Sequence, residues 1–80
     1  MDFKKCVNDN KDYIINMLNS IKTTKQFVGI YFTQQEKMLI TFSLEDSFNI
    51  HESMAKYQYE LALVIDIGNN VEEQLNNFIN

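Results

Sequence analysis

At 80 residues the chain is one folding unit, a single α+β domain over residues 1–80, and it buries only roughly 60–65% of the surface its unfolded form exposes. Ten aromatic residues and an apolar content of 45% exclude intrinsic disorder, while a single cysteine excludes a disulfide scaffold and no stretch nears the roughly 20 apolar residues of a membrane span. The net charge of −4 is uneven: residues 1–37 sum to +2, and residues 38–80 to −6, with Lys56 alone against seven carboxylates.

The chain opens with a helical pattern. Phe3, Val7, Ile14, Met17 and Ile21 recur at 4-3 spacing, with Asn10 in the sixth place of that stripe and Cys6, Tyr13 and Leu18 widening it. Asn8-Asp9-Asn10 is a poor helical stretch, so Asp9 or Asn10 can instead cap a helix that starts there, closing near Thr23-Thr24. Residues 11–22 are helical in either reading.

Two strands follow. Gln26–Thr33 and Lys37–Leu44 are rich in β-branched and aromatic residues and flank the polar Gln34-Gln35-Glu36. Both are apolar on two faces, which requires something to cover the second face. Gly29, in mid-strand, points to a bulge or a close backbone approach.

Residues 45–67 fit two templates. As one helix they carry a capping box from Asn49 to Glu52, a stripe of Ile50, Met54, Tyr57, Leu61, Val64 and Ile65, and a terminal Gly68. As a strand over 57–67, preceded by a helical turn at 47–55, all six odd positions from Tyr57 to Ile67 are apolar. The strand is the preferred template, since the helix strands Tyr59, Leu63 and Ile67 on its outer face. The chain closes on a short helix: Asn70 caps it, Glu72 and Glu73 suit its positive end, and Val71, Leu75, Phe78 and Ile79 form its stripe. The expected architecture is a three-stranded antiparallel sheet, or a two-stranded hairpin under the helical reading, packed with an N-terminal helix and C-terminal helices on one face or both.

Few residues could carry chemistry. There is one histidine, one cysteine and no arginine. A Cys6–His51 nucleophile pair needs an orienting third group that nothing in the sequence supplies, so a packed thiol and a solvated imidazole are the simpler account. The adjacent pairs Glu45-Asp46 and Glu72-Glu73 read as turn and cap chemistry. Glu45, Asp46, His51 and Glu52 match no EF-hand or zinc spacing, and two glycines make no phosphate loop. Lys22 and Lys25 beside Phe27, Tyr31 and Phe32 form a small basic and aromatic set, but without arginine and against the net charge, direct nucleic-acid binding is not expected. No catalytic residue, metal or cofactor is therefore expected.

What remains is a binding role. The hairpin carries more apolar surface than so small a chain readily covers. The acidic half, Glu45, Asp46, Glu52, Glu60, Asp66, Glu72 and Glu73, with Tyr57 and Tyr59 among it, suits a basic partner. Ten Asn and nine Ile, against no Arg, Pro or Trp, indicate AT-rich coding, as in a low-GC bacterium, its phages or its plasmids. The expected function is thus a small cytoplasmic binder, an inhibitor of a basic nucleic-acid-handling enzyme of the anti-restriction or anti-CRISPR type. The alternative is a structural or regulatory homodimer, seamed through the stripe of residues 3–21 with Asn10 fixing its register, or through an open strand edge. A secretory signal is not expected, because the polar run Asn8–Asp12 follows Lys4 and Lys5 where an apolar one would be needed.

Overall fold

A computed structural model describes residues 2–42 and 58–80. In chain order these form α1 (Phe3–Asp9), α2 (Lys11–Ser20), β1 (Phe27–Phe32), β2 (Met38–Thr41), β3 (Glu60–Asp66) and α3 (Val71–Ile79). The expected helical turn at 47–55 lies outside the described residues, as do Ser43 and Leu44 of the second expected strand. Among the described residues no helix is long and apolar enough to cross a membrane.

Asn10 decides how the N-terminal helical stretch divides. Its amide Nδ2 turns back and donates to the Cys6 carbonyl at 2.7 Å. Its own carbonyl meanwhile accepts from Ile14 N–H at 3.0 Å. It therefore closes α1 and opens α2, at φ −105° and ψ 7°. As the N-cap of α2 it makes no side-chain cap bond, because that amide already serves α1. Asp2 does cap α1, accepting from Lys5 N–H at 3.1 Å. The stripe considered as a dimer seam faces the chain's own core, where Cys6, Val7, Ile14 and Leu18 are buried.

The strand reading of the third apolar segment holds, and the sheet is three-stranded, in the order β2-β1-β3, antiparallel throughout. β1 and β2 meet through Thr33–Lys37. Thr33 N–H donates to the Lys37 carbonyl at 2.9 Å, and Glu36 N–H to the Thr33 carbonyl at 2.9 Å. Glu36 takes a left-handed φ of 64°, the conformation that closes a three-residue hairpin loop without splaying its strands.

Pairing with β3 carries an irregularity that the apolar pattern conceals. Val28 faces Ile65 and Ile30 faces Leu63, but Tyr31 faces Leu61, so Ala62 is an extra residue and β3 is bulged there. The bulge expected at Gly29 lies on the opposite strand, against the step from Ile30 to Tyr31. Its effect is large: one extra residue reverses the side-chain parity of everything before it. The odd positions of β3 thus do not share a face. Leu63 and Ile65 join the inner face with Val28, Ile30, Phe32, Met38 and Ile40, whereas Leu61 goes to the outer face beside Tyr31.

All three helices contribute to the core on the inner face. Val28, Ile30, Phe32, Ile65, Val7, Ile14 and Leu75 are fully buried there, with Phe3, Ile15, Ile21, Met38, Ile40, Phe42 and Phe78 packed around them. The closing helix forms as its sequence indicates: Asn70 Oδ1 accepts from Glu73 N–H at 2.9 Å, and Val71 and Leu75 turn inward.

Candidate binding face

Of the four large apolar side chains exposed among the described residues, Tyr13 is on α2 and the other three lie on the outer face of the sheet. Register places Phe27 and Tyr31 of β1, Leu39 and Thr41 of β2, and Leu61 and Val64 of β3 on it together. Phe27 is 45% exposed, Leu61 44% and Val64 45%, and each is large enough that this departs from ordinary burial. Tyr31, flanked by Leu39 and Leu61, is buried. The aromatic set considered for nucleic acid is therefore not assembled: Phe32 is in the core, Tyr31 is buried, and Phe27 alone is exposed.

The acidic candidates fall in separate places. Glu60 begins β3 and is exposed, with half-buried Tyr59 immediately before it. Asp66 ends the same seven-residue strand, about 20 Å away at strand spacing. Glu72 and Glu73 are exposed in the first turn of α3. Glu45, Asp46, Glu52 and Tyr57 lie outside the described residues, as does His51. No group of three His, Cys, Asp or Glu side chains that could hold a metal occurs among the described residues.

Asp66 holds the end of the sheet together. Its Oδ1 accepts from Gly68 N–H at 2.9 Å, and its Oδ2 from Asn69 Nδ2 at 2.8 Å and Gln26 Nε2 at 3.2 Å. Its backbone is held by Gln74: Asp66 N–H donates to Gln74 Oε1 at 2.9 Å, and Gln74 Nε2 donates to the Asp66 carbonyl at 2.7 Å. A carboxamide making one bond to the N–H and one to the C=O of the same residue does what a neighbouring strand would do. Asp66, Asn69, Asn70, Glu73, Gln74 and Asn77 line an open polar groove at this junction. Sequence reasoning counted Asp66 among the contact carboxylates and did not single out Gln74, whose partner lies eight residues away in another element.

No protein-family model, curated protein or solved structure matches this chain. Its own geometry is what there is to read.

Two titratable groups are buried, Cys6 in the core and Tyr31 on this face. Burial pushes the Cys6 thiol up, with the carboxylates of Glu36, Asp2 and Asp9 adding to the rise and Lys5 opposing it. Burial alone pushes the Tyr31 phenol up. Both groups are thus held neutral by the fold. A raised folded pKa contributes stability that is fully present below the unfolded value, about 8.5 for a thiol and about 10 for a phenol, and is lost as pH rises through the folded value. The thermal midpoint is expected to fall steadily above about pH 8.5, and to fall less in a Cys6→Ala/Tyr31→Phe double variant. Parallel alkaline slopes for the two proteins, in a calorimetric pH series, would contradict this.

Proposed function

We propose that this chain is a protein-binding module that docks the outer face of its sheet on a basic protein partner. The observation that carries the reading is the grouping of Phe27, Leu61 and Val64, each nearly half exposed, on one face of a small acidic chain. Exposed apolar patches ringed by polar groups mark interfaces. Carboxylates at the rim, here Asp66 opposite Phe27, steer and orient a partner of opposite charge more than they add affinity. A protein whose lysine- and arginine-lined channel handles nucleic acid has both the charge and the concavity to receive such a face. Inhibition by occupying that channel is the corresponding mode of action, as anti-restriction and anti-CRISPR proteins use. Size, acidity and AT-rich coding support this finer reading.

The test is capture from a low-GC bacterial lysate with the wild-type chain and a Leu61→Asp/Val64→Asp variant side by side. Every protein held by the wild-type chain is carried forward, whether or not the variant releases it. Each is then purified and its affinity measured directly at low and high salt. The expected partner is basic, binds at least about tenfold more weakly to the variant, and weakens further as salt screens the rim charges. Equal binding of both proteins by every captured partner would refute the outer face as the docking surface.

A further inference from the structure

Strand β3 is an edge of the sheet, since the order β2-β1-β3 leaves its second side without a strand among the described residues. Which of its backbone groups point outward follows from hydrogen bonds already described. Ile67 N–H donates to the Gln26 carbonyl at 2.9 Å, so residue 67 faces β1. Asp66 directs both its N–H and its C=O to Gln74, so residue 66 faces away from β1. Backbone direction alternates along a strand, and Val64 therefore also presents its N–H and C=O to the open side. Its register opposite Gly29, one residue from the Val28–Ile65 pair, agrees.

This edge is managed at one end and open next to it. At residue 66 Gln74 fills the place of a neighbouring strand. At residue 64 no such plug exists among the described residues, and the side chain there, with Leu61, is exposed and apolar. Edges that proteins protect usually carry a lysine, a proline, a bulge or a covering element, and the bulge of β3 sits at Ala62, short of Val64. β3 reads Glu-Leu-Ala-Leu-Val-Ile-Asp and has neither residue.

Charge chooses the occupant. Residues 58–80 carry Glu60, Asp66, Glu72 and Glu73 and no basic residue. A second copy on this edge would bring together two such segments, each with four carboxylates and no cation to offset them, and like charges set side by side destabilise a strand pair. An extended segment bearing lysine or arginine meets no such penalty and gains from the carboxylates at either end.

Resting on the reading of this chain as a binder of basic proteins, we propose that the partner contributes an extended basic segment that adds to β3 as a fourth strand. Backbone hydrogen bonds to residue 64 supply the fixed geometry, alternate apolar side chains continue the outer face past Leu61 and Val64, and the basic ones, on the opposite face, reach toward Glu60, which register sets opposite Phe32. Gln74 ends the pairing at residue 66 and so sets its register.

The test uses the full chain, isotopically labelled, and three capped hexapeptides: Lys-Val repeated three times, the same sequence N-methylated at every residue, and Glu-Val repeated three times. The lysine peptide is expected to shift the Val64 amide saturably and slow its hydrogen exchange. The methylated peptide keeps every side chain and charge but cannot pair as a strand. It is expected to bind at least about fivefold more weakly, for the loss of two backbone bonds, and the glutamate peptide not at all. Val64→Pro should weaken the lysine peptide equally, since the lost N–H serves no bond within the sheet; should that variant not fold, the methylated peptide decides alone. Equal binding of methylated and unmethylated peptides overturns strand addition while leaving charge-led docking standing. Absence of saturable binding by the lysine peptide also overturns it, and the outer-face variants judge the broader reading separately.

Discussion

Replacing Phe32 by alanine is expected to leave the domain barely folded at 25 °C. Phe32 is fully buried at the end of the central strand, with Met38 beside it on β2 and the three helices above the same face. Removing a buried phenyl ring costs about 3–5 kcal/mol, because the lost transfer energy is joined by that of a cavity the surroundings only partly fill. A domain of this length holds roughly 4–12 kcal/mol in total, so the loss takes a quarter or more of it. With a urea slope of about 1–1.5 kcal/mol/M for so small a chain, the midpoint should fall by roughly 2–5 M. Phe27→Ala is the control. That ring is 45% exposed on the outer face, and its removal should cost well under half as much. Similar losses for the two variants in urea titrations followed by circular dichroism would mean the inner face is not the core.

The second large effect is expected from Gln74→Met. Methionine matches the length of glutamine but cannot bond, so Asp66 N–H loses its partner and the Asp66 carbonyl keeps only Asn69 N–H at 3.2 Å. A part-buried backbone group left unsatisfied costs about 1–3 kcal/mol, and water can reach this pair in part, so a total of about 2–3 kcal/mol is reasonable. The damage should be local as well. The amides of Asp66, Gly68 and Asn69, bonded respectively to Gln74 Oε1, to Asp66 Oδ1 and to the Asp66 carbonyl, should exchange markedly faster than those of Val28 and Ile30. Gln74→Glu refines the result. At neutral pH its carboxylate can accept from Asp66 N–H but cannot donate to Asp66 C=O, and it places a charge beside Asp66. Stability should therefore drop as far as in Gln74→Met or further. A Gln74→Met protein indistinguishable from wild type in both urea midpoint and exchange would show that the side-chain clamp is incidental.

Gln74 also illustrates what a sequence does and does not disclose. The cap at Asn70 was legible because its donor, Glu73 N–H, sits three residues on and the geometry of a helix start is local. The Gln74 clamp has no such local signature. Its partner becomes available only when α3 folds back along β3, and a glutamine in the second turn of a helix looks like an ordinary solvated residue. Asn10 lies between these cases. Its low helix propensity marked a break, but whether its amide would start one helix or end another depended on the two helices turning relative to each other.

The candidate face was half legible in the same sense. Excess apolar residues in β1 and β2 announced that one sheet face would need cover. Membership of the exposed set did not follow from alternation, because the bulge at Ala62 sends Leu61 outward and keeps Leu63 inward though both are odd-numbered. Counting carboxylates found Asp66, yet its oxygens are engaged by Gly68, Asn69 and Gln26 and hold the strand end in place.

Residues 60–66 fitted a helix as well as a strand, whereas local pattern and composition disclosed the helix over residues 11–20, strands β1 and β2, the polar hairpin loop, the capped final helix and an acidic half. Each of these rests on interactions within a few residues, or on composition alone. The tertiary structure decided the strand order, the bulge, the outward turn of Leu61 and the open edge at Val64. Those depend on which strand lies beside which, and a strand's periodicity of two carries no record of its neighbour: one inserted residue exchanges its faces, and nothing in the strand's own pattern marks the place.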